Sequence, residues 1–315
     1  MTAGQIALNI AIVLGSILAL WIGADFFVAS AARIARKMGM SELVIGLTIV
    51  AMGTSAPEFA VTALAAWHGT ASIPIGNVVG SNIFNLGFIL GTVAIIHSIS
   101  TDRNVIFRDG SILIGSTLML LLFMWDGQLV RWEGIVMFLS LLAYLGFLMY
   151  KREYDDDEVP DGEYSWKDIP LLLGGLVLIV LGGRYLVSSS VLLAEAVGLS
   201  EWAIGVTIVA AGTSAPEAVT SIVAITRGHS QISLGNLIGS NIFNVLGVLG
   251  FAGILTPLSL GPGEYFSLVY LTIQMIITAL LMRNGWQLSR REGIVLLLIN
   301  GAVWIYFIMS GRAAV

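Results

Sequence analysis

The sequence predicts an all-α polytopic membrane protein: ten transmembrane helices arranged as two inverted five-helix repeats. Three observations predict it. Hydrophobic residues make up 57% of the 315 and charged residues only 11%, which is outside the range of ordinary soluble domains. Apolar stretches long enough to cross a bilayer recur from end to end, each closed by a short polar break. Residues 41–91 also match 200–250 without a gap, at a constant offset of 159.

The predicted spans run roughly over 4–33, 43–67, 71–97, 105–124, 132–150, 168–197, 202–226, 230–256, 265–282 and 292–311. The first apolar run is long, lacks a basic leader and meets no small-residue cleavage site, so it reads as a span and not as a signal peptide. Five spans fall in each copy. An odd number forces the second copy to enter the membrane from the opposite side, a common build of secondary transporters. The first repeat is therefore assigned to 1–150, an acidic linker to 151–167 and the inverted repeat to 168–315. The linker carries YDDDEVPDGEY (154–164) and accounts for most of the net charge of −5, and it reads as a solvated connection.

Arg33, Arg36, Lys37, Arg103, Arg108, Lys151, Arg152, Lys167, Arg227, Arg283, Arg290 and Arg291 fall on one side of this topology, against Arg131 and Arg312 on the other. The positive-inside rule then places the linker in the cytoplasm and both termini outside, in a cell membrane. Trp125, Trp132, Trp166 and Trp286 lie near span ends, where indole rings anchor to the interface. The chain has no cysteine, which excludes disulfides and thiolate metal sites.

Two motifs occur twice. GTSAPE stands at 53–58 and again at 212–217. Glu58 and Glu217 are the only carboxylates well inside spans two and seven, and no basic residue shares those spans. A charged residue at a helix centre costs roughly 2.5–3.5 kcal/mol, so a bound cation is the natural counter-charge. Pro57 and Pro216 break the helix and free backbone carbonyls near Gly53 and Gly212. With the hydroxyls of Thr54, Ser55, Thr213 and Ser214 these form an all-oxygen environment suited to Na⁺ or Ca²⁺, not to metals that want nitrogen or sulfur. The second motif is GNVVGSN at 76–82, followed by Asn85, and GNLIGSN at 235–241, followed by Asn244. Its glycines, four apart, allow close helix approach. Ser81 with Asn85, and Ser240 with Asn244, share helical faces and offer neutral oxygens. Asn77, Asn82, Asn236 and Asn241 point elsewhere and read as hydrogen-bonding glue between helices.

Inverted repeats carrying these two motifs resemble the alpha repeats of the calcium/cation antiporter superfamily, most closely its prokaryotic sodium/calcium exchangers. The resemblance covers essentially the whole chain. It implies that Thr54, Glu58, Thr213 and Glu217 surround Ca²⁺. Sodium sites would use the same glutamates with Ser55, Ser81, Ser214, Ser240 and the carbonyls of Ala51 and Ala210, and Asn85 and Asn244 would complete the centre. Some relatives carry aspartate at the position of Asn244, so the amide here argues against potassium coupling. Electrogenic exchange of three Na⁺ for one Ca²⁺ is the family pattern, with spans one and six sliding as a pair to alternate access. Asp25 and Arg184 occupy equivalent repeat positions, and the inversion is expected to keep them apart. The implied partners are the two ions and the lipid bilayer; no cofactor, nucleic acid or obligatory protein partner is implied.

Three other readings compete. Proton/Ca²⁺ exchange uses the same glutamates but needs no hydroxyl cage. A passive cation channel would show flux without a counter-ion. A hydrolase using Ser55 or Ser214 needs a nearby base, and His68, His97 and His229 all fall at span ends, so the chain is not read as an enzyme.

Overall fold

The computed structural model describes residues 1–69, 73–151, 164–196, 210–260 and 264–310. Its long elements are all helices. In chain order they are α1 (Ala3–Met38), α2 (Glu42–Thr54), α3 (Ala56–Trp67), α4 (Pro74–Ile96), α5 (Asn104–Asp126), α6 (Arg131–Lys151), α7 (Asp168–Ala196), α8 (Ala210–Thr213), α9 (Ala215–Thr226), α10 (Ser230–Leu255), α11 (Glu264–Arg283) and α12 (Arg290–Ser310). Seven of them are long and apolar enough to cross a membrane. The pair α2 and α3, bent by 50°, makes an eighth candidate among the described residues. The chain is a multi-pass helical membrane protein. The first part of the expected seventh span and most of the acidic linker lie outside the described residues.

The ends of α1 follow directly from local chemistry. Thr2 and Gln5 form a reciprocal capping box at its start, and Gly39, at φ 63°, turns the chain out of its end. This 36-residue helix lies along α7, and the two touch backbone to backbone. A Cβ on Gly23 would stand 2.8 Å from the Gly175 carbonyl oxygen, and one on Gly175 would stand 2.6 Å from that of Gly23. Arg33 fastens the same pair at one end, its guanidinium 2.7 Å from the Asp168 carboxylate.

Two short antiparallel clasps join the repeats. β1 (Ile99–Ser100) pairs with β4 (Gln287–Leu288), and β2 (Gln128–Leu129) pairs with β3 (Leu258–Ser259). Adding 159 to β1 gives β3, and adding it to β2 gives β4, so each clasp unites a strand of one repeat with a strand of the other. Two-residue strands leave no alternating pattern in a sequence, and nothing in the hydropathy announces them.

At the centre, α10 crosses α2 through glycine. A Cβ on Gly239 would lie 2.7 Å from Leu47 Cα and 2.8 Å from Ala51 Cβ. This close approach lets side chains of α10 reach the broken turn between α2 and α3. Both α4 and α10 widen locally into π-helical turns, at Asn85–Ile89 and Phe243–Leu249. Such turns add a residue to the helix and re-aim side chains, often at functional sites.

Candidate functional site

The site begins with the two prolines. Pro57 and Pro216 have no N–H to donate, so the helix before each cannot continue unbroken. α2 ends at Thr54, Ser55 leaves the helical region (φ −83°, ψ 8°), and α3 starts afresh at Ala56. Ser214 repeats the break (φ −88°, ψ 7°) before α9. Each break makes a helix N-terminus at membrane depth and places a glutamate in its first turn. The exposed N–H groups there favour negative charge.

Glu58 and Glu217 are both completely buried. They stand close enough that the charge of each bears on the other, and Ser81 flanks Glu58. Ser55 Oγ donates to Glu217 Oε1 at 2.8 Å, and Thr54 stands beside the same carboxylate. Neither glutamate is in an ion pair among the described residues. Both oxygens of Glu58 lack a hydrogen-bond partner, as do Glu217 Oε2, Ser214 Oγ, Asn244 Oδ1 and both amide atoms of Asn85. Buried polar atoms without partners are rare and costly in folded proteins. Three of these atoms are oxygens of the two buried carboxylates.

The neutral ligand candidates form a second cluster on the same side of the break. Thr54 Oγ1 lies 3.4 Å from Ser240 Oγ, and both hydroxyls point to the Ala51 carbonyl, at 3.3 and 3.5 Å. Asn244 Nδ2 donates to Asn82 Oδ1 at 3.1 Å. Thr213 lines a cavity beside the site. Of Ala210 only the backbone is described, at the start of α8.

The structure thus brings Ala51, Thr54, Ser55, Glu217 and Ser240 into direct contact, with Ser81 beside Glu58. Two residues read as glue touch the set as well. Thr54 donates to Asn236 Oδ1 at 2.9 Å, and Asn82 bridges Asn244 to the Asn241 carbonyl, 3.1 Å away. Ordinary helical spacing accounts for the first contact, because Asn236 stands four residues before Ser240 in regular α-helix and shares its face. Among the described residues no group of three or more His, Cys, Asp or Glu gathers. Two carboxylates with hydroxyl, amide and carbonyl oxygens suit a hard cation.

A cavity of about 520 Å³ runs along Pro57, Val61 and Leu64 of α3, Arg184 and Val187 of α7, and Thr213. Val61 and Leu64 are 44% and 59% exposed, whereas Thr220 and Val223, which occupy the equivalent positions of the other repeat, are 0% and 1% exposed. On that second side α1 packs against α9. Asp25, expected to stand apart from Arg184, pairs there with Arg227 at the end of α9.

A family profile described as "Sodium/calcium exchanger protein" matches residues 8–150 and again 167–309. MaX1 of Methanosarcina acetivorans, named as a sodium/calcium exchanger, is 36% identical over 342 aligned positions, covering 93% of this chain and 97% of MaX1. CaxA of Alkalimonas amylolytica, whose designation as an antiporter is provisional, is 37% identical over 308, covering 92% and 95%. The fold superposes on the sodium-calcium exchanger NCX_Mj with a TM-score of 0.84 at 30% identity, covering 98% of this chain and all of that one.

Proposed function

The chain belongs to the sodium/calcium exchanger family of membrane antiporters, and we propose that it exchanges Na⁺ for Ca²⁺ at one site shared by Glu58 and Glu217. The observation that carries the proposal is the pair of fully buried carboxylates, one from each repeat, with three of their four oxygens lacking a partner. One Ca²⁺ neutralises both glutamates, and so do two Na⁺. The ion loads use the same ligands and so exclude one another, which makes the protein an exchanger and not a leak. Thr54, Ser55, Ser81, Asn85 and the Ala51 carbonyl serve from the first repeat. Thr213, Ser214, Ser240, Asn244 and the Ala210 carbonyl serve from the second.

We read the topology as ten crossings: the eight candidates, the span ending in α9, and α12. The two inverted repeats, 1–150 and 168–315, then place the linker in the cytoplasm and both termini outside. On this reading the cavity faces outward. Sliding of the α1 and α7 pair along the core would close it and open the Asp25 side. Three Na⁺ against one Ca²⁺ moves one net charge per cycle, and 100 mV would bias each cycle by about 2.3 kcal/mol. The amide at Asn244 leaves K⁺ without a third carboxylate, and coupling is K⁺-independent.

The test is uptake of radiolabelled Ca²⁺ into proteoliposomes loaded with Na⁺. Uptake is expected to need internal Na⁺ and to be accelerated by an inside-positive potential, because three Na⁺ leaving for one Ca²⁺ entering carries one net positive charge out. Equal uptake by sodium-free vesicles under a pH gradient alone would replace Na⁺ with H⁺ as the coupled ion.

A further inference from the structure

Positions 25 and 184 are equivalent in the two repeats, yet one carries aspartate and the other arginine. Arg184 lines the open cavity beside Pro57, Thr213 and Pro216 of the two hexapeptides, and it has no ion-pair partner among the described residues. Asp25 stands on the mirror passage, now closed, beside Arg227. The cavity around Arg184 is lined by uncharged residues, among them Pro57, Val61, Leu64, Val187 and Pro216. A fixed charge in a passage with low-dielectric walls is felt strongly by an ion inside it.

We infer that Arg184 gives the two passages unequal affinity for cations: the Arg184 passage carries an unpaired positive charge that repels them and favours release, whereas on the opposite side Asp25 and Arg227 offset one another. The inference rests on the exchange proposed above. It has a signature that a merely structural role for Arg184 lacks. A potential acts on an ion in proportion to its charge, so the fold-change in divalent affinity is the square of that for a monovalent ion. Removing the guanidinium charge therefore discriminates Ca²⁺ from Na⁺.

The decisive variant is Arg184→Gln, assayed in sided proteoliposomes at low ionic strength. KM for Ca²⁺ on the cavity face is expected to fall about fivefold and KM for Na⁺ about twofold, with both constants on the opposite face unchanged. Arg184→Lys, which keeps the charge, is expected to behave as the parent does. Raising the salt should shrink the effect, since screening shortens the reach of the charge. Unchanged constants, or equal shifts on both faces or for both ions, would overturn the inference. A parent protein with no Na⁺-dependent Ca²⁺ flux would overturn the exchange reading instead. In that event, ⁴⁵Ca²⁺ binding to the purified protein still decides the role of Arg184, because Arg184→Gln must tighten it.

Discussion

The two ends of the helical bundle are made from equivalent residues and fastened differently. At the end where α1 finishes and α7 begins, two ion pairs, Arg33 with Asp168 and Asp25 with Arg227, and a 2.7 Å contact between Glu42 and His229 cross between helices. The equivalent pairs in the inverted arrangement would be Leu192 with Asn9, Arg184 with His68, and Glu201 with Thr70. None of these joins opposite charges between two ionisable side chains. The hexapeptide at the centre, by contrast, is identical in both copies. The central motif has stayed symmetric, and the side-chain pairs at the ends have not.

The sharpest way to break the symmetric part is to remove one carboxylate. Glu58→Gln and Glu217→Gln keep the shape and delete a charge that a divalent ion needs. Each is expected to reduce Na⁺-dependent Ca²⁺ uptake more than about a hundredfold, while the purified protein remains monodisperse. Removing one partner from a buried charge constellation typically costs 3–5 kcal/mol, which corresponds to that loss. Near-normal uptake in either variant would take that glutamate out of the site.

A smaller effect separates the two copies of one residue. Ser55 donates to Glu217, whereas Ser214 Oγ has no partner in this conformation. A hydrogen bond to a charged group contributes about 1.5–3 kcal/mol. Ser55→Ala is thus expected to weaken Ca²⁺ affinity on the cavity face about tenfold, and Ser214→Ala to act mainly on the opposite face, where the roles exchange. Equal effects of the two substitutions on both faces would show that the asymmetry at the serines has no part in the cycle.

Much of this was legible in the sequence, for a physical reason. Burying a glutamate next to a proline in an apolar span is so unfavourable that doing it twice at a fixed offset leaves few explanations. The bend between α2 and α3 and the complete burial of both glutamates follow from that placement. What sequence could not supply was anything that depends on departures from regular helix. The π-helical turns at Asn85–Ile89 and Phe243–Leu249 carry no hydropathy signature. The strand clasps are too short to show a period. The Asp25–Arg227 pair joins residues of different repeats, and no spacing rule within one helix reveals it.

That pair offers a third prediction, of moderate size. Its side chains are 30% and 60% exposed, and exposed ion pairs contribute about 0.2–1 kcal/mol. Asp25→Asn should therefore raise the population open at that end by about two- to fivefold, without abolishing exchange. The chain has no cysteine of its own, so Val223→Cys reports opening against a silent background. Its labelling by a membrane-impermeant thiol reagent added on that face is expected to rise in the Asp25→Asn variant by the same factor. An unchanged labelling rate would mean that helix packing alone holds the end shut.

The smallest expected effect lies where the two ends are most alike. Gly127 and Trp286 are equivalent residues at the clasps, and both adopt the left-handed region, at φ 83° and 55°. Glycine does so without strain and tryptophan does not. Trp286 is held there by its carbonyl, which accepts from Thr101 N at 2.9 Å, and by its ring, 6.3 Å from that of Phe107. Gly127 has only open space around the position a Cβ would take, so Gly127→Ala adds strain with no packing to offset it. Stability should drop by about 1 kcal/mol, read as a lower thermal midpoint, with ion affinities on both faces unchanged. A shift in affinity on one face alone would mean that the clasps take part in gating, and the division between a symmetric core and asymmetric fastenings would have to be redrawn.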